Sequence, residues 1–298
     1  LLASRGYEVI WADGVAEQMS ELQYAQWVGR EQPDLIAFEV KTPVVKRTWK
    51  AIEALRKVSP STKFVLMGDH ITGLPEESFA HCSVDYCLTG GDFDFALLNL
   101  CEHLSKGTVL EPGVYARDGE TIQNSGPFSL KHDLDGLPMI DRDLVKWTLY
   151  SKDNGNFKYT PGTYTMVGRD CWWGRCTFCS WTSTFTNFRT HSVERLLDEV
   201  QMLVDKYGVR EIFDDTGTFP GGRWLLRFCE GMIQRGLHKK VVMGCNMKPG
   251  ALQREHWEAM GRAGFRFILM GVESANQATI DRLDKGGRVE EFEETMRM

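Results

Sequence analysis

Apolar residues along this chain come in short runs separated by stretches with a helical period. In the first third the runs are "YEVIWAD" (Tyr7 to Asp13), "DLIAFEV" (Asp34 to Val40), "KFVLMGD" (Lys63 to Asp69) and "VDYCL" (Val84 to Leu88). Runs of this length with little polar alternation predict buried parallel strands. Between the second and third, Thr42 is expected to cap a helix with Pro43 in its first turn. Trp49, Ile52 and Leu55 would share one face before Pro60. That is a βαβ unit. From about Thr108 to Phe157 the chain is rich in Gly, Pro and Asp with no sustained period, which predicts a connector.

Alternation resumes with "YTMVGR" (Tyr164 to Arg169), "REIFDD" (Arg210 to Asp215), "VVMGCNM" (Val241 to Met247) and "FRFILMGVES" (Phe265 to Ser274). The clearest helix has an N-cap at Ser192, an apolar stripe through Val193, Leu196, Leu197, Val200, Leu203 and Val204, and an end at Gly208. Alternating strands and helices predict an α/β protein. In such folds the chemistry gathers at the carboxyl ends of the strands. "DDTG", "CNMK", "GVES" and a run of cysteines all fall there. No internal repeat or low-complexity segment is present.

A length of 298 residues allows two domains. With 42% hydrophobic and 26% charged residues the composition is that of an ordinary globular protein, and no apolar run is long enough to span a bilayer. A formal net charge of -6 argues against a general nucleic-acid binder, which needs a basic stripe to displace counterions from phosphates. The first residues, "LLASRGYEVIWADG", show no secretion signal, so a cytoplasmic location and reduced thiols are expected for the eight cysteines. Cys82, Cys87, Cys101, Cys229 and Cys245 are scattered and read as small core residues.

The other three, Cys171, Cys176 and Cys179, lie within nine residues in "CWWGRCTFC". Structural zinc wants a fourth ligand, and His191, Cys229 and Cys245 form no second pair; that reading stays open as a non-catalytic metal module. A catalytic thiol would need only one cysteine. An iron–sulfur cluster takes Cys thiolates, and three on one loop would leave one iron open for a substrate or cofactor.

These residues resemble the cobalamin-binding radical S-adenosylmethionine (SAM) enzymes. The likeness rests on the cysteine triplet after the first strand of the second domain, on Phe178 just before the last cysteine, and on "GVES" in a later strand. It extends through "CSWTSTFTNFRTHSVERLLDEVQMLVDKYGVREIFDDTGTF" to the second strand, and over "FVLMGDHITGLPEE" and "VDYCLTGGDFDF" in the first domain. The first cysteine gap is one residue longer than the usual CxxxCxxC of that family. Asp69 stands where a second Gly is common.

The resemblance implies a Rossmann-like cobalamin-binding domain over 1–107, a linker over 108–157, and a partial TIM-type βα barrel, the radical SAM core, over 158–298. It implies a 4Fe-4S cluster on Cys171, Cys176 and Cys179, and SAM contacts from Phe178, Asp214, Asp215, Asn246, Glu273 and Ser274. Adjacent strand residues point to opposite faces, so at most one of Asp214 and Asp215 would meet the ligand. Cobalamin would be met by Thr42, Gly68, His70, Thr72, Gly90 and Gly91. The cobalt would have no imidazole ligand, because in "GDHITG" Asp and His are adjacent. The implied activity is reductive cleavage of SAM to a 5'-deoxyadenosyl radical, for methyl transfer to an unactivated carbon, or alternatively for ring closure or rearrangement. The implied partners are a small-molecule or peptide substrate and an electron donor such as flavodoxin or ferredoxin; no residue is assigned a role in acid–base or nucleophilic catalysis. The family barrel has six strand–helix units against four candidate strands here, and no strand precedes "LLASRG". The chain is therefore expected to be a part of a longer protein, lacking the first strand of one domain and the end of the other.

Overall fold

The computed structural model describes residues 1–152, 155–169 and 171–298. The chain divides into two compact units, Leu1–His132 and Asp133–Met298.

The first unit is a five-stranded sheet in the order β1 (Leu35–Glu39), β2 (Lys63–Met67), β3 (Tyr86–Leu88), β4 (Val114–Asp118), β5 (Thr121–Asn124). The first three strands are parallel, and β4 and β5 add an antiparallel hairpin. Its helices are α1 (Glu21–Glu31), α2 (Val45–Val58), the short α3 (Asp69–Gly73) and α4 (Glu77–His81), and α5 (Phe93–Lys106). Successive residues of β2 serve opposite faces, as strand geometry requires. Phe64 and Leu66 pack with Val28 of α1 and with Trp49, Ile52 and Leu55 of α2, whereas Val65 packs with Leu100 of α5. Helices therefore cover both faces.

Two expectations are corrected in this unit. Tyr7 to Asp13 is not a strand: its apolar residues Ile10 and Trp11 are half exposed, and β1, the nearest candidate neighbour in sequence, pairs only with β2 among the described residues. Without a ladder partner an extended apolar run does not become a strand. Thr42 is not a helix N-cap. It opens a 3-10 turn, Thr42–Val44, whose N-cap is Lys41, and α2 follows directly.

The segment expected to connect two domains is divided between the units. Part of it forms β4 and β5, and β4 pairs with β3. The remainder packs on the second unit, where the Arg142 guanidinium donates to the Tyr164 carbonyl (2.8 Å) and to the buried Glu199 carboxylate (3.1 Å). Residues 153 and 154 lie outside the described residues.

The second unit is a four-stranded parallel sheet in the order β11 (Phe265–Leu269), β10 (Val242–Asn246), β9 (Glu211–Asp214), β6 (Gly162–Thr165). After β6 the chain makes a two-residue strand, β7 (Gly168–Arg169), which pairs antiparallel with β8 (Arg189–Thr190), so the two bracket the cysteine loop at its base. The one-turn α6 (Trp181–Thr184) lies inside that bracket. Then follow α7 (Val193–Tyr207), α8 (Gly222–Gln234) and α9 (Arg254–Arg262) between the main strands, and α10 (Gln277–Arg282) and α11 (Val289–Arg297) after the last. Helix α7 runs as its pattern predicts: the Ser192 side chain accepts from Arg195 N, and Gly208 closes it at φ 64°. Ile212, Met243 and Cys245 face the helical layer with Leu196, Leu203 and Phe228, while Tyr164, Phe213 and Phe267 form an aromatic row on the other face. Strand β11 ends at Leu269, five residues short of the expected Ser274, so "GVES" is loop.

Candidate active site

The site is built on the carboxyl ends of β6, β9 and β10. The cysteine loop rises from the β7–β8 bracket, and Gly168 permits that bracket to sit close: its amide donates to Thr216 Oγ1 (2.8 Å), and a Cβ there would lie 2.9 Å from Thr216 Cγ2. Cys171 Sγ lies 3.0 Å from Thr218 Oγ1. The hydroxyl of Thr218 donates to the Gly217 carbonyl (2.8 Å), so the thiol is the donor in that contact. Cys176 is 9% exposed, and its carbonyl accepts from Cys179 N (3.1 Å), which folds the end of the triplet into a tight turn. Burial pushes the Cys176 thiol above its ordinary value, the ammonium of Lys285 pulls it down, and Cys171 and Cys179 push it up. All eight cysteines are free.

The two aspartates separate as strand geometry demands. Asp214 is fully buried, and its carboxylate accepts from Thr165 Oγ1 (2.8 Å), Val167 N (2.9 Å) and Thr216 N (3.2 Å). It ties the end of β9 to the segment after β6 and has no surface left for a ligand, which removes it from the expected SAM contacts. Asp215 is exposed, and its Oδ1 accepts from Asn246 Nδ2 (3.3 Å) at the end of β10. Asn246 also donates to the Thr216 carbonyl (3.1 Å), so these two expected residues form one polar edge.

Glu273 and Ser274 lie in the loop beyond β11. Glu273 has φ 65°, an uncommon conformation for a residue with a side chain, and its carboxylate turns back onto Lys285 Nζ (3.1 Å). Ser274 Oγ accepts from Asn276 N (3.0 Å) and shapes the turn into α10. Phe178 is 54% exposed, with Lys285 Nζ 5.9 Å from its ring centre.

Sequence reasoning missed the turn Leu283–Gly286, which grips the cysteine loop. Thr177 N donates to Leu283 O (3.0 Å), Trp173 Nε1 to Asp284 O (2.7 Å), and Arg175 pairs with the Asp284 carboxylate (3.0 Å). Lys248, 8% exposed, completes the grip with Nζ 3.1 Å from Gly286 O and 4.6 Å from the Trp173 ring centre. The signal available in sequence was the longer first gap: "WWGR" places Trp173 and Arg175, both used here, between the first two cysteines.

In the first unit the residues tied to cobalamin by resemblance gather at the carboxyl ends of β1, β2 and β3. Thr72 Oγ1 donates to Gly68 O (3.0 Å) and accepts from Gly90 N (3.1 Å), which joins two of the loops. His70, expected to meet cobalamin, is 6% exposed. It is buried with Nδ1 3.2 Å from Thr42 Oγ1 and Nε2 3.0 Å from Glu77 Oε2, the latter without hydrogen-bond alignment. A Cβ on Gly68 would strike the Val40 backbone, and one on Gly90 the ring of Phe128. Gly91 is buried beside them. The chain's own packing accounts for Gly68 and Gly90.

Residues 165–298 match the radical SAM superfamily. That stretch is similar to a radical SAM domain. The superfamily is one of enzymes that work with a 4Fe-4S cluster and SAM. An uncharacterized methyltransferase of Pyrococcus horikoshii is 25% identical over 285 residues, covering 94% of this chain and 60% of the relative. The anaerobic magnesium-protoporphyrin IX monomethyl ester cyclase of Cereibacter sphaeroides is 25% identical over 310 residues, covering all of this chain and 49% of the relative. The chain thus spans about half to 60% of the length of these relatives. Among solved structures, the cobalamin-dependent SAM radical enzyme OxsB superposes with a TM-score of 0.79 at 18% identity, over 93% of this chain and 41% of that one. The radical SAM methyltransferase TsrM of Kitasatospora setae gives 0.81 at 14%, over 99% and 60%. At those identities the likeness is one of fold, and it runs through both units.

The donor set of the cysteine loop suits an iron–sulfur cluster: three soft thiols, none oxidised, on one loop gripped from outside. Among the described residues no three His, Cys, Asp or Glu side chains stand close enough to hold a single metal ion. A cluster spreads its thiolates over three irons and makes no such demand. For cobalamin the first unit offers the right end of the sheet, but the polar side chains at the expected positions are engaged within the chain and Phe128 covers Gly90. As they stand, these residues do not fit a corrin, and no step is derived through it.

Proposed function

We propose that this protein is a radical SAM enzyme with the fold of the cobalamin-dependent kind, transferring a methyl group to an unactivated carbon of a small-molecule or peptide substrate. Cys171, Cys176 and Cys179 are its cluster ligands. The observation that carries the reading is a loop with three unpaired thiols above the carboxyl ends of a parallel sheet, with the Asp215–Asn246 edge on the same side. When bound, the cluster supplies the electron that cleaves the carbon–sulfur bond of SAM into methionine and a 5'-deoxyadenosyl radical.

The chain's own residues bind, orient and exclude water. Ligation would take the proton from Cys171, and the Thr218 hydroxyl would then be placed to donate to the sulfur. Asp215 and Asn246 offer a carboxylate oxygen and an amide to the polar end of SAM, and Phe178 an aromatic face. Tyr164, Phe213 and Phe267 provide the apolar surface that a reactive radical requires. A role of the first unit in cobalamin binding rests on the fold likeness and on the position of its loops; binding would require Phe128 to leave Gly90.

A second reading, ring closure without methyl transfer, is favoured by the cyclase, which matches this chain along its whole length at the same identity as the methyltransferase.

The test is anaerobic reconstitution with iron and sulfide. A brown protein absorbing near about 400 nm that loses iron on Cys176→Ala, but keeps it on Cys82→Ala, supports the cluster. A colourless protein that prefers zinc returns the chain to the non-catalytic class. With a flavodoxin or ferredoxin donor and methyl-labelled SAM, label in the product identifies methyl transfer, and product without label identifies cyclisation.

A further inference from the structure

Lys285 stands in the turn Leu283–Gly286, and the grip described above fixes where its ammonium goes. Trp173 leaves no room for a Cβ on Gly286, and the Arg175–Asp284 pair holds the other side of the turn. The side chain of Lys285 is only 12% exposed. Its ammonium lies 3.1 Å from one carboxylate, Glu273, and faces the ring of Phe178, the residue directly before Cys179. A largely enclosed ammonium beside the cysteine loop calls for a function, because removing charge from water is costly unless it is used against another charge.

We propose that Lys285 sets the reduction potential of the iron–sulfur cluster, by holding a positive charge beside the loop of Cys171, Cys176 and Cys179. This rests on the cluster reading above and adds to it a residue that touches neither iron nor substrate, a positioning residue for charge. In the step concerned, one electron passes from a reduced one-electron donor of the flavodoxin or ferredoxin class to the cluster. The donor is oxidised by one electron, the cluster with its thiolates becomes one unit more negative, and no bond or proton moves. A fixed positive charge favours the more negative state, and burial keeps solvent ions from screening it.

Glu273 carries the opposite charge 3.1 Å from Lys285 Nζ, and it is the ammonium that faces the Phe178 ring, so replacing the two residues gives tests of opposite sign.

The experiment is a potentiometric titration of the reconstituted full chain without SAM, followed by the cluster's absorbance and electron paramagnetic resonance. Lys285→Met should lower the reduced-to-oxidised ratio at a fixed potential about tenfold, which at about 59 mV per decade for one electron is a fall of about 60 mV. Lys285→Arg should restore most of the shift, and Glu273→Gln should move the potential upward. Full iron loading with an unchanged midpoint in Lys285→Met would overturn the proposal and leave Lys285 a strut for the Glu273 loop, with the cluster reading intact. If Lys285→Met fails to load iron, Glu273→Gln decides: an upward shift supports the proposal and an unchanged midpoint overturns it. Absence of iron from the unaltered chain would overturn the cluster reading itself, and this inference with it.

Discussion

Two adjacent carboxylates at the end of β9 show how much one residue's position decides. Asp214 is enclosed and Asp215 is exposed beside Asn246. Asp215→Ala should weaken SAM binding roughly tenfold or more, the scale of a lost hydrogen bond to a charged group, with little change in melting temperature; equilibrium binding of SAM and a thermal melt would check both halves. Asp214 should behave oppositely. Burial, the largest influence on it, pushes its carboxyl above the ordinary range despite the hydrogen bonds it accepts from Thr216, Thr165 and Val167, and burial likewise raises Glu199 beside Arg142. A carboxyl raised in the folded state binds its proton more tightly there than in the unfolded chain. Its contribution to stability is complete below the unfolded value and is lost as pH rises through the folded value. Melting temperature should therefore fall as pH climbs above the ordinary carboxylate range, and Asp214→Asn should flatten that part of the profile. An identical profile in the variant would place the pH dependence elsewhere.

Among the elements, those with a strong local pattern were legible in sequence, and those defined by their neighbours were not. Helix α7 follows its apolar stripe from Ser192 to Gly208, and β9, β10 and β11 begin within a residue of their runs, whereas β6 (Gly162–Thr165) shares only Tyr164 and Thr165 with the run Tyr164 to Arg169. The hairpin β4–β5 escaped notice because β5 is wholly exposed and β4 carries few inward side chains, so neither has the alternation of a half-buried strand. The turn after β2 illustrates the same dependence on neighbours. Gly68 has φ 113° and ψ -178°, a region open only to glycine, and a Cβ there would come within 2.6 Å of the Val40 carbonyl. Gly68→Ala should cost about 2–5 kcal/mol, from backbone strain and overpacking together. A denaturant melt in the absence of any cofactor would measure it; a loss seen only with cobalamin present would mean that this glycine serves the ligand instead.

At the scale of the whole molecule, each unit leaves sheet edges open among the described residues. In the second unit β11 is an edge strand whose Leu269 is 52% exposed, next to an apolar groove of about 350 Å³ lined by Trp257, Met260, Phe265, Met270, Met296 and Met298. Open apolar edges invite pairing with other chains. Leu269→Lys should lower self-association in sedimentation velocity at unchanged melting temperature, whereas association as strong as before would direct attention to the half-exposed Ile10 and Trp11 of the first unit. Among the described residues no helix is long and apolar enough to cross a membrane.

The sequence by itself determined the α/β class, the cysteine loop after the first strand of the second sheet, and the placement of "DDTG" and "CNMK" at strand ends, because period and spacing are local properties of the chain. Only the tertiary structure decided which of Asp214 and Asp215 meets solvent, that His70 is locked between Thr42 and Glu77, and that Trp173 and Arg175 tie the cysteine loop to the turn Leu283–Gly286. More than a hundred residues separate Trp173 and Arg175 from Asp284, and no pattern along the chain encodes a contact at that distance. The physical reason is that burial and charge act through space: a carboxylate, an imidazole or an ammonium acquires its role from whatever folding brings against it.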